Sequence, residues 1–235
     1  MEIQNKKGEV TTKQLVTLIV LIASFLIILF FIFSLDLGGT TDEQICRNSV
    51  VLKGKIPLAG PLDCKTNYVT IETENKEEVM KIIADKMASC WYMFGEGKID
   101  YSSKLANAGT VSCSVCSILE FDTDIQNTDT ISYQEFYNYL KNTKKTESQT
   151  YLQYLYSTND LNFFSQEFNP SNYLSNNLKF NKQYFILTGI TQEGSLSYAF
   201  SFRIFPESAS QPVIILEKTQ ENYERVGCSE FLTKA

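Results

Sequence analysis

Residues 90–116 read CWYMFGEGKIDYSSKLANAGTVSCSVC. The stretch holds three of the six cysteines and the only tryptophan, so its reading decides what kind of domain this is. Upstream, Val79, Ile83, Met87, Cys90, Trp91 and Phe94 recur at steps of three or four, with one adjacent pair. That is the apolar stripe of an amphipathic helix, and it puts Cys90 on the buried side. Asn75 can cap the helix with Glu78 in the capping-box position, and Gly95 stops it. Downstream, TVSCSVCSILEFD has hydroxyl and β-branched residues at alternating places and reads as a strand. Helix and strand are thus expected to face each other with Cys90 opposite Cys113 or Cys116.

Working outward, SVVLKGKIPL and NYVTIETE are two β-like runs flanked by Cys46 and Cys64. ISYQEFYNYLKN opens with Ser132 three residues before Glu135 and predicts a helix, with SQTYLQYLYST a second, shorter one. Residues 159–181 are polar and Asn-rich, hence loop. QYFILTGI and LSYAFSFRIF around Gly194 read as a hairpin, and PVIILEK as a more fully buried strand. Helices early and hairpins late predict one α+β domain with two to three helices and an antiparallel sheet.

Residues 15–35, LVTLIVLIASFLIILFFIFSL, carry no charge. Twenty or so apolar residues are the length of a membrane-crossing helix. Lys6, Lys7 and Lys13 precede the run, while Asp36, Asp42 and Glu43 follow it. The positive-inside rule then sets a single-pass protein with a cytoplasmic N-terminus. The expected organisation is 1–14 cytoplasmic, 15–35 transmembrane, 36–45 linker and 46–235 extracytoplasmic. The run is too long for a cleaved signal and has no small-x-small site after it. NKKGEVTTKQL also resembles the start of type IV pilin-like precursors, which are cut after a glycine; Gly8 takes that position. The match departs from the pattern in that acidic Glu9 directly follows the cut and Lys13 stands fifth after it.

Outside the membrane, six cysteines are an even count in an oxidising space, where disulfides are the default. The structural candidates are Cys46, Cys64, Cys90, Cys113, Cys116 and Cys228. Cys46 and Cys64 bracket one stretch; Cys90 can meet Cys113 or Cys116; Cys228 takes whichever is left and fastens the tail. Two chemical alternatives use the same sulfurs. One is a redox CxxC at Cys113 and Cys116, but its activating helix N-terminus is missing. The other is zinc on Cys90, Cys113, Cys116 and Cys228, which lacks a second CxxC.

The chain has no histidine, which removes His-based nucleophile pairs and imidazole metal ligands. It has 21 basic against 27 acidic residues, and Lys144 with Lys145 is only a local pair, so nucleic acid is not an expected partner. Gly95-Glu96-Gly97-Lys98 lacks the spacing and hydroxyl of a phosphate loop. Asp122, Asp124, Asn127 and Asp129 lack the glycine and terminal glutamate of a calcium loop and read as a turn. Nothing fixes Glu96 and Asp100 as a catalytic pair.

IADKMASCWYMFGEGKIDY followed by CSVC and EFD resembles a segment of uncharacterised single-pass membrane proteins from small-genome archaea. Cys90, Trp91, Gly95, Glu96, Gly97, Lys98, Cys113 and Cys116 carry the likeness. The resemblance implies a location and a shared module, with no activity attached. Together these features predict a membrane-anchored, non-enzymatic interaction or envelope-assembly module. Its partners would be the lipid bilayer and an envelope protein or a neighbouring copy. No catalytic, metal or cofactor residue is assigned. The alternatives are a pilin-like filament subunit and a thiol or zinc module.

Overall fold

The computed structural model describes residues 12–34, 41–56, 58–101, 111–125, 130–161, 177–191, 210–226 and 228–233. The chain divides into two compact units, Met1–Thr41 and Asp42–Ala235. The first contains helix α1, Thr12–Ser34, of 23 residues. Its side chains are described over residues 14–28. Ser24 donates its hydroxyl back to the Leu21 carbonyl at 2.9 Å, satisfying its own polarity within the helix.

The expected membrane crossing over 15–35, and with it the single-pass localisation, is corrected here. Among the described residues no helix is long and apolar enough to cross a membrane.

The second unit is α+β with a mixed sheet. In chain order it runs α2 (Asp42–Lys55), β1 (Asn67–Ile71), α3 (Lys76–Met93), β2 (Val111–Phe121), β3 (Thr130–Ser132), α4 (Tyr133–Asn142), α5 (Tyr151–Tyr156), β4 (Asn177–Lys179), β5 (Tyr184–Thr191), β6 (Ser210–Glu217), α6 (Gln220–Val226) and β7 (Cys228–Phe231). The large sheet has the order β1-β2-β5-β6, with β7 also on β2. β5 pairs antiparallel with β2 and with β6, but β1 and β7 both lie parallel to β2. The antiparallel expectation therefore fails at one edge. There β7 covers the first residues of β2 and β1 the last, in line with each other. Between them, Thr66 donates its hydroxyl to the Val115 carbonyl at 2.9 Å and Val115 N–H donates to Thr233 Oγ1 at 3.0 Å. Short strands and threonine hydroxyls thus close the edge of β2.

Five helices are described in this unit where two to three were expected. The largest change is SVVLKGKIPL, most of which is helix α2 and not strand. Its first turn holds Asp42 and Glu43 and its last holds Lys53 and Lys55, which complements the helix dipole. Cys46 and Val50, one turn apart, are its buried face. β-branched residues lose to that tertiary placement. LSYAFSFRIF, the predicted hairpin partner, lies outside the described residues, and β5 pairs with β6 instead.

Two apolar layers flank the sheet. The larger joins α3, α4 and α5 to Leu119, Phe121, Ile186, Ile190, Val213 and Ile215. The smaller covers the opposite face with Val115, Ile118, Phe185, Leu187 and Leu216, against which Val226 packs. On β6, Tyr156 donates its hydroxyl to the Val213 carbonyl at 2.7 Å, so α5 occupies a backbone acceptor of that strand.

Candidate functional site

Helix α3 carries Cys90 and leads into the GEGK turn. Asn75 caps its start, accepting from the N–H groups of Glu77 and Glu78 at 3.0 and 3.2 Å. Glu78 does not close the box directly. It accepts from the Thr73 hydroxyl at 2.8 Å, and Thr73 Oγ1 in turn accepts the Asn75 N–H at 3.2 Å. At the other end, Gly95 N–H donates to the Tyr92 carbonyl at 3.2 Å and Glu96 N–H to the Trp91 carbonyl at 2.9 Å. That bond pair is a Schellman stop with Gly95 in the left-handed position.

The left-handed turn runs through three residues, at φ 83° for Gly95, 57° for Glu96 and 72° for Gly97. For glutamate this backbone costs about 1–2 kcal/mol. Contacts to the Glu96 carboxylate offset it. Tyr154 donates its hydroxyl at 2.8 Å, Arg47 lies at 3.4 Å and Lys98 at 3.8 Å. Arg47 also donates to the Tyr92 carbonyl and lies 3.9 Å from that ring's centroid. GEGK is therefore a helix stop locked to α2 and α5. Burial, then the bond to Glu96, pushes the Tyr154 hydroxyl well above the ordinary tyrosine range. Glu96 is committed to this network.

The cysteines form three pairs: Cys46 with Cys64, Cys90 with Cys116, and Cys113 with Cys228. Strand alternation selects the partner of Cys90, because Cys113 and Cys116 stand three apart on β2 and face opposite sides. Val115 pairs with Leu187 and Ser117 with Ile186, leaving Cys116 as the extra residue. The extra residue reverses the alternation beyond it, so Ile118 returns to the layer of Val115. Cys116 joins the core layer that contains α3, whereas its neighbour Val115 belongs to the opposite layer. Cys113 shares the strand parity of Val115, and its partner is on β7. The two sulfurs of CSVC thus go to different elements, and neither is a free thiolate. Among the described residues no group of three or more Cys, Asp or Glu side chains could hold a metal ion. Of the acidic turn, Asp122 accepts the Asp124 N–H at 2.9 Å; Asn127 and Asp129 lie outside the described residues. Lys144 donates to the Glu147 carbonyl at 3.3 Å and Lys145 sits 3.9 Å from Asp85, so the basic pair is used locally.

A cleft that the sequence did not reveal runs along the outer face of α3. It has two lobes, of ≈ 160 and ≈ 380 Å³, which share Glu43, Lys86 and Ser89. The smaller lobe reaches down to Cys116 and Ser117 on the bulge, and the larger opens towards Tyr92 and Tyr154. Its residues come from six separate places in the chain, from Asp42 to Tyr154, so no local motif could have shown it.

Comparison of the chain with protein-family models, with curated proteins and with solved structures returns no match.

Proposed function

We propose that the chain is a non-enzymatic assembly module: a disulfide-stapled α+β domain carrying an apolar helix that binds a neighbouring copy. The observation behind this reading is α1. Eleven large apolar side chains between Leu15 and Ile28 are 49–61% exposed. They point in every direction around the helix, and a helix apolar all round is one that other matter covers. Contiguous exposed apolar surface on this scale marks an interaction site. Most oligomers are assemblies of identical chains, so a second copy is the covering partner of this proposal. Three disulfides suit an oxidising compartment, where they persist.

Sedimentation equilibrium of the full oxidised chain in mild detergent tests this. The wild type is expected to sediment as an oligomer, and Ile22→Lys with Phe25→Lys as a monomer. A wild-type monomer at every concentration would overturn the proposal.

A second reading makes the assembly a filament of the pilin-like kind. It is supported by the lack of a polar stripe on α1, because a helix in a filament core meets neighbours on all sides. Gly8, the expected cleavage point, lies outside the described residues. N-terminal sequencing of the native chain separates the readings: a start at Glu9 supports the filament, and an intact start removes it.

A further inference from the structure

The α3 cleft carries an inference that does not depend on α1. Its two lobes are lined by three carboxylates, Asp42, Glu43 and Asp85, and three ammonium groups, Lys65, Lys86 and Lys145. Some of these cancel in place: Lys65 lies 3.1 Å from Asp42 and Lys145 3.9 Å from Asp85. Equal numbers of each sign leave no net field to draw an anion or a cation. Three groups shared by both lobes, Glu43, Lys86 and Ser89, are half-buried, and no hydrogen bond or ion pair engages them among the described residues. At the bottom of the smaller lobe Ser117 is 3% exposed, and its hydroxyl likewise meets no protein partner there. A buried polar side chain without a partner is uncommon, and one that lines a cleft is placed to receive a ligand.

The chemistry of this set is specific. A carboxylate only accepts hydrogen bonds, an ammonium only donates, and a hydroxyl does both. A ligand that satisfies all of them must offer many groups that donate and accept at once. Tyr92, 37% exposed, and Tyr154 add aromatic surface beside the larger lobe. We infer that the cleft binds a neutral oligosaccharide, one sugar ring in the smaller lobe and its neighbour in the larger. Lys86 and Ser117 donate to ring hydroxyls, Glu43 accepts from them, and Tyr92 lies against a C–H face. A phosphorylated ligand would meet as many carboxylates as lysines. A peptide segment, whose backbone also donates and accepts, is the alternative that the test below separates.

Isothermal titration of the full oxidised chain with maltotriose, cellotriose and chitotriose tests the inference, with sodium phosphate and tetraglycine as the opposing probes. At least one trisaccharide is expected to bind, with an affinity that holds in about 0.5 M sodium chloride, where charge attraction is screened. Lys86→Ala and Ser117→Ala are each expected to weaken it about tenfold, the loss of one good hydrogen bond. Lys182→Ala, outside the cleft, is expected to leave it unchanged. Lys86 is at the surface of α3, so its removal leaves the core intact. The inference is overturned if no trisaccharide binds at about 50 mM. It is equally overturned if only phosphate or tetraglycine binds, or if both cleft variants bind like the wild type.

Discussion

Replacing Gly95 with alanine tests whether the GEGK turn is the structural lock described above. At φ +83° an alanine occupies the left-handed region, which costs about 1–2 kcal/mol. Its Cβ would sit 2.7 Å from Cδ1 and Cγ1 of Ile99 and 2.8 Å from Ile99 Cβ. Ile99 is hemmed in, because its Cγ2 lies only 2.5 Å from the position that a Cβ on Gly54 would take. Crowding of this kind costs a further 1–3 kcal/mol or so. Gly95→Ala is therefore expected to destabilise the domain by about 3 kcal/mol, a large share of a typical domain's stability. Urea unfolding of the oxidised chain, followed by the fluorescence of buried Trp91, measures it. In an Ile99→Ala background the contacts with Cδ1 and Cγ1 disappear while the one with Cβ stays, so the cost of Gly95→Ala should fall in part but remain above the backbone part of about 1–2 kcal/mol. A Gly95→Ala variant within about 0.5 kcal/mol of wild type would refute the reasoning, as that is the range of an ordinary surface change.

Three further outcomes are expected. Cys113→Ser with Cys228→Ser opens a loop with a sequence separation of 115; the chain-entropy relation gives a loss of about 5 kcal/mol. Hydrogen exchange should then show β7 unprotected while α3 stays protected. Ser114→Ala removes a fully buried hydroxyl that has no partner among the described residues, so stability should hold or rise by up to about 1 kcal/mol in the same urea assay. Alkali should unfold the domain from about pH 10 upward. Burial, first of all, raises the hydroxyls of Tyr101, Tyr139, Tyr151 and Tyr154 and pushes Tyr184 up to about 12. A raised folded value means that the folded state holds its protons longer. The stability is whole below the unfolded value of about 10 and is lost as pH rises through the folded one. Tyrosinate absorbance should therefore appear together with the loss of secondary structure, and early titration of all tyrosines in a folded chain would contradict this.

Local signals made part of this fold readable. The α3 stripe, the Asn75 and Ser132 caps and the alternation of β2 are all short-range, and each names its element. Long-range terms decided the rest. α2 has the β-branched look of a strand, yet Cys46 and Val50 are buried one turn apart and its end charges suit a helix. Parallel placement of β1 and β7 depends on crossovers that no local pattern encodes. The choice between Cys113 and Cys116 for Cys90 turned on which face of β2 meets α3, and the two cysteines stand on opposite faces. At the candidate site the situation is sharper. Cys90, Trp91 and the GEGK turn stand together in the sequence, but Arg47 and Tyr154, which hold Glu96, lie 49 and 58 residues away. Ser117 looked like any strand serine until the bulge put it at the foot of a cleft.

The assembly reading is tested most directly by placing a photo-crosslinking residue at Ile22 of α1 in the full chain and irradiating native cells. Self-association predicts a discrete adduct of twice 26.8 kDa, with α1 peptides of two chains joined in its digest. Adducts with lipid alone, or none, would contradict it.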